Sequence, residues 1–545
     1  MLNTKLKLTL GLAALAAVTA LAQTQTAAPT TVTSAVPATA TSPAPPPITF
    51  DQWAKEVKNL DVPLTWGGDI RIRNEYFNNG LSLTSDPLKP PFPPAVPPNT
   101  YPQSPFAPQH SQDYFRYRGR VWASILPTND VTINLRLAAE PRQFMEPSTM
   151  DTYYTHSGMQ WRYGIIDTFN AQWKKPLDLP ATVTVGRQDI FLGDGFLVGD
   201  GTPEDGSFTS FFDSARITVN LENLKTTIDA IGLAQCARPD AWLPTLGPST
   251  SLGGDPESLL LTDQNEKGCI LWIANKSLPA ANVDGYFMYK NDSRLDSGPP
   301  ASFGDNADIF TFGGRVSGLV QDHWKYSAEG AYQFGQKQDP ELNGQTPAPN
   351  PLLAPSAQTK GYRNIDAFAV NSKLTYLFKD KLNDQLSLSF EYITGDDPKT
   401  KNDEMFDVLW GRWPQWSEMY NVYGNVQESR VGQIANVIRV GPTWSVDPIK
   451  DMNFSLTYNA LFAVQDVPTR DLDETLLPAL AGGLTTLGPY SGAGDFRGHY
   501  LQAVLKYKFN SHVSGHLWSE FLFPGDFYAG NQVENFLRAE IMFTF

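Results

Sequence analysis

The sequence predicts an all-β protein, a transmembrane antiparallel β-barrel of about eighteen strands with short periplasmic turns and long extracellular loops. Composition, alternation and the order of the connections predict it. Of 545 residues, 12% are aromatic and only 18% charged, with 31 Phe, 21 Tyr, 13 Trp and 42 Gly. Beyond the N-terminus no run of about twenty apolar residues occurs, which excludes a helical membrane protein. A 41% hydrophobic content excludes wholesale disorder. The 57 Asp+Glu outnumber the 42 Lys+Arg, and this acidic balance argues against a nucleic-acid partner.

Lys5 and Lys7 precede an apolar stretch from Leu8 to Ala22 that closes on Ala20-Leu21-Ala22, so residues 1–22 read as a cleaved signal peptide. Residues 23–49 are nearly all Thr, Ala, Pro, Ser and Val and end in Pro45-Pro46-Pro47, the composition of a flexible periplasmic linker. In 50–61, Phe50, Trp53, Ala54, Val57 and Leu60 fall at helical spacing behind Asp51, which predicts one short periplasmic helix. The barrel is expected over 65–545.

Within it, apolar and polar residues alternate, and a strand points successive side chains to opposite faces. Phe115, Tyr117, Val121, Ala123 and Ile125 oppose Arg116, Arg118 and Arg120. Val131, Ile133, Leu135 and Leu137 oppose Thr132, Asn134 and Arg136, with Glu140 beyond. Met452, Phe454, Leu456 and Tyr458 oppose Asn453, Ser455 and Thr457, and Leu501, Ala503, Leu505 and Tyr507 oppose Gln502, Lys506 and Lys508. The closing strand sets Leu537, Ala539, Ile541, Phe543 and Phe545 against Arg538, Glu540 and Thr544. A terminal aromatic such as Phe545 resembles the signal read by the barrel assembly machinery.

Soluble sandwiches alternate too, and connection length discriminates. Short turns are expected at 127–130, 175–180, 222–224, 276–282, 321–323, 379–385, 447–451 and 510–511. Between them fall long segments at 78–112, 141–159, 191–207, 235–267, 291–306, 337–360, 395–429, 465–494 and 524–533. Strict alternation of short and long is the pattern of an outer-membrane barrel with both termini periplasmic. Loop 78–112 carries ten prolines between Asp86 and Pro108 and reads as a stiff extracellular or pore-constricting loop.

A barrel this wide holds an aqueous channel. Its polar face collects Arg71, Arg73, Arg116, Arg118, Arg120, Arg136, Arg216, Arg315, Lys506, Lys508 and Arg538 against Glu75, Glu140, Glu329, Glu391, Glu520 and Glu540. A net positive lumen suits an anion pathway. The alternative is a ladder of Arg and Glu that braces the wall. Arg116, Arg118 and Arg120, with no carboxylate on their own strand face, are the selectivity candidates. The only cysteines, Cys236 and Cys269, flank one long loop of an exported chain, which predicts a disulfide at its base.

Residues 186–216 carry Gly186, Arg187, Gln188, Asp189, Gly193 and Asp194 and run on to Asp213 and Arg216; this segment resembles the signature of the alginate export family. Asp69-Ile70-Arg71-Ile72-Arg73, Glu391-Tyr392-Ile393-Thr394-Gly395-Asp396-Asp397-Pro398 and the closing hairpin through Pro524-Gly525-Asp526 are similar to that family as well. The resemblance implies an eighteen-stranded barrel whose arginine-rich lumen conducts an anionic polysaccharide or other anions. Membrane lipids are then the surroundings and anions the cargo.

Rival classes find less. A barrel enzyme needs a nucleophile beside a base. Of His110, His156, His323, His499, His512 and His516, the last three fall on adjacent strands near Ser511 and Ser519, with no G-x-S-x-G or H-E-x-x-H. Asp194, Asp200, Glu204 and Asp205 are the candidates for a loop Ca²⁺, but the EF-hand spacing is absent; no other metal or cofactor is expected. The remaining rival is a general diffusion porin or surface-adhesion barrel acting through its long loops.

Overall fold

The computed structural model describes residues 52, 63–79, 111–146, 159–160, 164–199, 212–236, 265–293, 295–296, 302–303, 306–338, 362–397, 399–411, 414–422, 435–466, 491, 494–528 and 530–545. The expected signal peptide, linker, periplasmic helix and proline-rich loop therefore fall outside them, save for Gln52 and the ends of that loop.

Twenty strand segments pair into one sheet. Two strands are each interrupted once, so the sheet has eighteen strands. In chain order they are β1 (Leu64–Asn78), β2 (Ser111–Ile125), β3 (Val131–Ala139 and Arg142–Glu146), β4 (Met159–Gln160 and Gly164–Lys174), β5 (Ala181–Gln188) and β6 (Phe212–Leu221). There follow β7 (Thr226–Gln235), β8 (Asn265–Asn275), β9 (Asn282–Ser293), β10 (Ala307–Val320), β11 (Trp324–Gln338) and β12 (Tyr362–Leu377). The last are β13 (Gln385–Ile393), β14 (Val437–Val446), β15 (Met452–Phe462), β16 (Phe496–Lys508), β17 (Val513–Pro524) and β18 (Glu534–Thr544). A five-residue helix, α1 (Glu418–Val422), lies between β13 and β14.

Each strand pairs antiparallel with the next, and β1 pairs with β18 from Asp69↔Thr544 to Asn78↔Asn535, which closes the barrel. Phe545 extends this seam: its N–H donates to the Gly68 carbonyl at 3.0 Å, and its ring meets Trp66 edge-on. Every expected short turn is present, and every expected long segment lies between two strands at the opposite end, except that Arg142–Glu146 of the expected 141–159 segment continue β3.

The wall is inside-out relative to a soluble protein. Along β1, Asp69, Arg71, Arg73 and Glu75 are buried, whereas Ile70 and Ile72 are 54% and 42% exposed. Leu137, Phe169, Ile217, Leu271, Phe312, Phe368 and Leu388 are exposed in the same way on other strands. Apolar side chains outward and charged ones inward is the arrangement a lipid surround requires.

The register overturns the expected disulfide. Cys236 follows Gln235, which pairs with Glu266, whereas Cys269 pairs with Gly232. The two are thus offset by about four residues, roughly 13 Å along the strands, and a disulfide needs Cα atoms within about 7 Å. Both cysteines are free and exposed. Cys269 lies inside β8 rather than at the base of the loop.

Candidate functional site

Cross-strand register, invisible from a single strand, decides what the lumen arginines meet. Arg120 lies directly opposite Asp69, and the two bond at 2.5 to 2.7 Å; Arg118 shares that carboxylate at 3.4 Å. Glu75, fully buried, is a hub: Arg538 reaches it at 2.6 Å, Arg116 at 3.1 Å and Arg73 at 3.6 Å. Glu140, at the break in β3, holds Arg116 at 2.8 Å, Arg71 at 2.9 Å and Arg142 at 3.8 Å. Glu540 takes Arg73 at 2.5 Å, and Glu418 takes Arg538 at 2.8 Å. Seven guanidinium groups on β1, β2, β3 and β18 thus share five carboxylates, leaving the cluster net positive although no arginine stands alone.

Two connections fold into the bore and join there as a strap. The first, 189–199, leaves β5 through Gly186, whose φ of +118° suits glycine; a Cβ would fall 2.3 Å from the Phe169 carbonyl oxygen. Asp189 then binds Arg136 of β3 through both carboxylate oxygens, at 2.8 and 2.9 Å. Asp194 binds Arg315 of β10 at 2.6 and 3.0 Å and accepts from Ser327 of β11. Burial works to raise the Asp194 carboxyl, but hydrogen bonds from Arg315 and Ser327 outweigh it and hold the group below its ordinary value.

Phe196, Leu197 and Val198 are buried against the second connection, which runs from Thr394 into α1. Phe196 stacks on Phe406, and Val198 pairs with Trp410 through Gly199 N–H to Trp410 O at 3.2 Å and Trp410 N–H to Leu197 O at 3.0 Å. Trp410 Nε1 donates to Glu266 of β8 at 2.9 Å, and Gln333 of β11 exchanges two hydrogen bonds with the Asp407 backbone. Trp416 donates to Glu391 of β13 at 2.9 Å beneath the Arg439 guanidinium, while Ser417, Glu418 and Met419 all bond Glu520 of β17. The strap is therefore tied to β3, to β8, β10, β11, β13 and β14, and to β17 and β18.

Toward the short turns the bore opens into a cavity of about 1300 Å³. Its walls carry Arg71, Arg73, Arg118, Arg120, Lys381, Lys450, Lys506, Lys508 and Arg538 against Asp189, Asp447, Asp451 and Glu540, nine cations to four carboxylates. Phe191 of the strap, 50% exposed, and Trp518 add apolar surface to the vestibule.

Of the expected lumen residues, Arg71, Arg73, Arg118, Arg120, Lys506, Lys508 and Arg538 line this vestibule, and Arg116 lies behind them at Glu75 and Glu140. Arg216 pairs with Asp229 at 2.8 Å, and Arg315 with Asp194 and Asp284. The motif residues have structural roles: Arg187 and Asp213 form a two-point pair between β5 and β6 at 2.7 and 2.8 Å, and Gln188 bonds the Thr184 and Ser214 carbonyls. Gly193, at φ +59°, turns the strap beside Trp272.

Sequence reasoning missed Asp69, Asp167, Asp229 and Asp284 as lumen acids, the strap itself, and Lys381 and Lys450, which sit in turns. Asp194, a candidate Ca²⁺ ligand, is taken by Arg315, and Asp200, Glu204 and Asp205 fall outside the described residues. The three neighbouring histidines do not converge: His499 bonds Tyr458 on the outer face, whereas His516 is inside, 3.4 Å from Glu540.

The family described as alginate export matches this chain over residues 166–539. No curated protein matches it. Similar solved structures include OccAB1 of Acinetobacter baumannii, 9% identical over 88% of this chain and 96% of that one, with a TM-score of 0.49. Two from Pseudomonas aeruginosa are OpdQ (11% identical, 88% and 98% covered, TM-score 0.47) and OpdK solved with vanillate (10%, 88% and 98%, 0.45).

Proposed function

The chain belongs to the alginate export family and is an outer-membrane channel protein; from that premise we propose that its bore passes anions, anionic polysaccharide of the alginate kind or smaller anionic solutes. The observation that carries this reading is the vestibule, where nine cationic side chains face four carboxylates in a protein whose net charge is -15. Like charges around a narrow bore of low-dielectric walls concentrate counter-ions and repel co-ions. The packed strap favours small anions at rest, because Phe196, Val198, Phe406 and Val408 are buried in its middle and a polymer must displace them. In this reading the short-turn end is periplasmic, and Phe545 delivers the strand that the assembly machinery recognises.

Conductance in planar bilayers under a salt gradient tests it. An anion-selective reversal potential is expected. Cation preference would overturn the reading, and no preference would return the barrel to a general porin or a surface-adhesion role.

A further inference from the structure

We propose that anion preference is set by a collar of four lysines at the short-turn mouth, Lys381, Lys450, Lys506 and Lys508, rather than by the arginines of the wall. This rests on the anion-channel reading above and assigns it to residues.

Compensation by neighbouring carboxylates separates the two sets of cations. Each arginine of the vestibule lies within 4 Å of a carboxylate, so most of the wall's charge is cancelled locally and only the excess of seven guanidinium groups over five carboxylates acts on a passing ion. The four lysines make no ion pair among the described residues. Beside them the cavity wall carries Asp447 and Asp451, and both Asp447 oxygens accept from amides, of Asn383 at 2.9 Å and Asn453 at 2.8 Å. Asp380 and Asp384, which flank Lys381 in the chain, do not line the cavity and bond the Leu382 and Asp384 N–H groups and Trp444. Four cations outside any ion pair among the described residues therefore face two carboxylates where an ion enters from this end, a local positive excess.

The collar is also held in place. Lys381 and Lys450 sit on neighbouring turns joined by Asp447 N–H to Leu382 O at 2.7 Å and by the Asn383 to Asp447 bond. Lys508 N–H donates to Asp451 O at 2.9 Å, and Lys506 stands opposite Asn453 in the β15–β16 register. The chemistry suits conduction. An ammonium is a hydrated point charge that releases a carboxylate readily, whereas a guanidinium grips it at two points. A permeation site must bind weakly enough to let go. The ligand class is thus a hydrated carboxylate or sulfate, single or repeated along a polymer.

The experiment compares reversal potentials of wild type, a collar variant (K381Q/K450Q/K506Q/K508Q) and a control that removes four turn-end lysines outside the cavity (K174Q/K175Q/K225Q/K276Q). The two half-collars, K381Q/K450Q and K506Q/K508Q, keep the test available if the full variant assembles poorly. In the collar variant the anion-to-cation permeability ratio is expected to fall about threefold or more, with an intermediate fall in each half-collar and none in the control. A selective wild type whose preference survives the collar variant overturns the collar and leaves the anion channel standing. A wild type without anion preference overturns the anion reading itself.

Discussion

Arg136 on β3 and Asp189 at the root of the strap form a two-point pair, with Nη1 and Nη2 donating at 2.8 and 2.9 Å, and Arg136 Nε also holds Asp167 at 2.8 Å. One wall guanidinium thus fixes the point from which the strap departs. Replacing Asp189 by Ala is expected to remove about 1 to 3 kcal/mol of charge-assisted hydrogen bonding from the strap while the eighteen strands stay paired. Single-channel recordings should then show a larger, noisier conductance with an unchanged heat-modifiable band on gels. A conductance trace matching wild type would mean that the strap is held without this root.

Glu75 accepts from Arg116 and Arg538 and lies 3.6 Å from Arg73, with no exposure to solvent. Glu75→Gln keeps the shape and removes the charge that three buried guanidinium groups share. Breaking a buried ion cluster costs about 3 to 5 kcal/mol, so the thermal or denaturant midpoint of folded barrel in detergent should drop clearly. An unchanged midpoint would show that Glu140, Glu418 and Glu540 suffice.

Hydrogen bonds from Asn453 and Asn383 hold the Asp447 carboxyl below its ordinary value. Its folded value lies below its unfolded one. The stability it lends the turns is therefore complete above the ordinary value, about 3.9, and is lost as pH falls through the lower folded value. Asp447 consequently stays charged through mild acid. D447N should raise anion preference over wild type equally at about pH 7 and about pH 5, the two converging only below about pH 4. Convergence already at about pH 6 would contradict the lowered carboxyl.

Both cysteines should be free thiols. Alkylation of denatured protein without reductant is expected to add two labels by intact mass, the same number as after reduction. Labelling that appears only after reduction would restore the disulfide and require β7 and β8 to slip by about four residues.

The wall was legible because apolar and polar residues alternate with a period of two, as in β1, with Ile70 and Ile72 outward and Arg71 and Arg73 inward. Turns and loops followed from connection length. Register was not legible, since a strand read alone reports which face a residue takes and not its neighbour's height. For that reason Arg116, Arg118 and Arg120 looked uncompensated, although Asp69, Glu75 and Glu140 wait on adjacent strands. The strap left a signal that went unread. Phe196-Leu197-Val198 and Val408-Leu409-Trp410 are apolar runs in segments expected to be extracellular loops, and such runs need somewhere to bury. The collar lysines on the turns carried no signal beyond composition, because nothing in the chain tells which turns lean over the bore.

Arg538 has a consequence for how the molecule is built. It stands on the last strand, yet its carboxylate partners are Glu75 on the first strand and Glu418 on α1, more than a hundred residues earlier. A guanidinium that deep is tolerable only with both anions beside it. Closing the seam brings Arg538 to Glu75, and seating the segment around α1 brings it Glu418, so ring closure and the filling of the bore meet at one guanidinium. Seam and strap thus draw on one charge balance, and each stabilises the other.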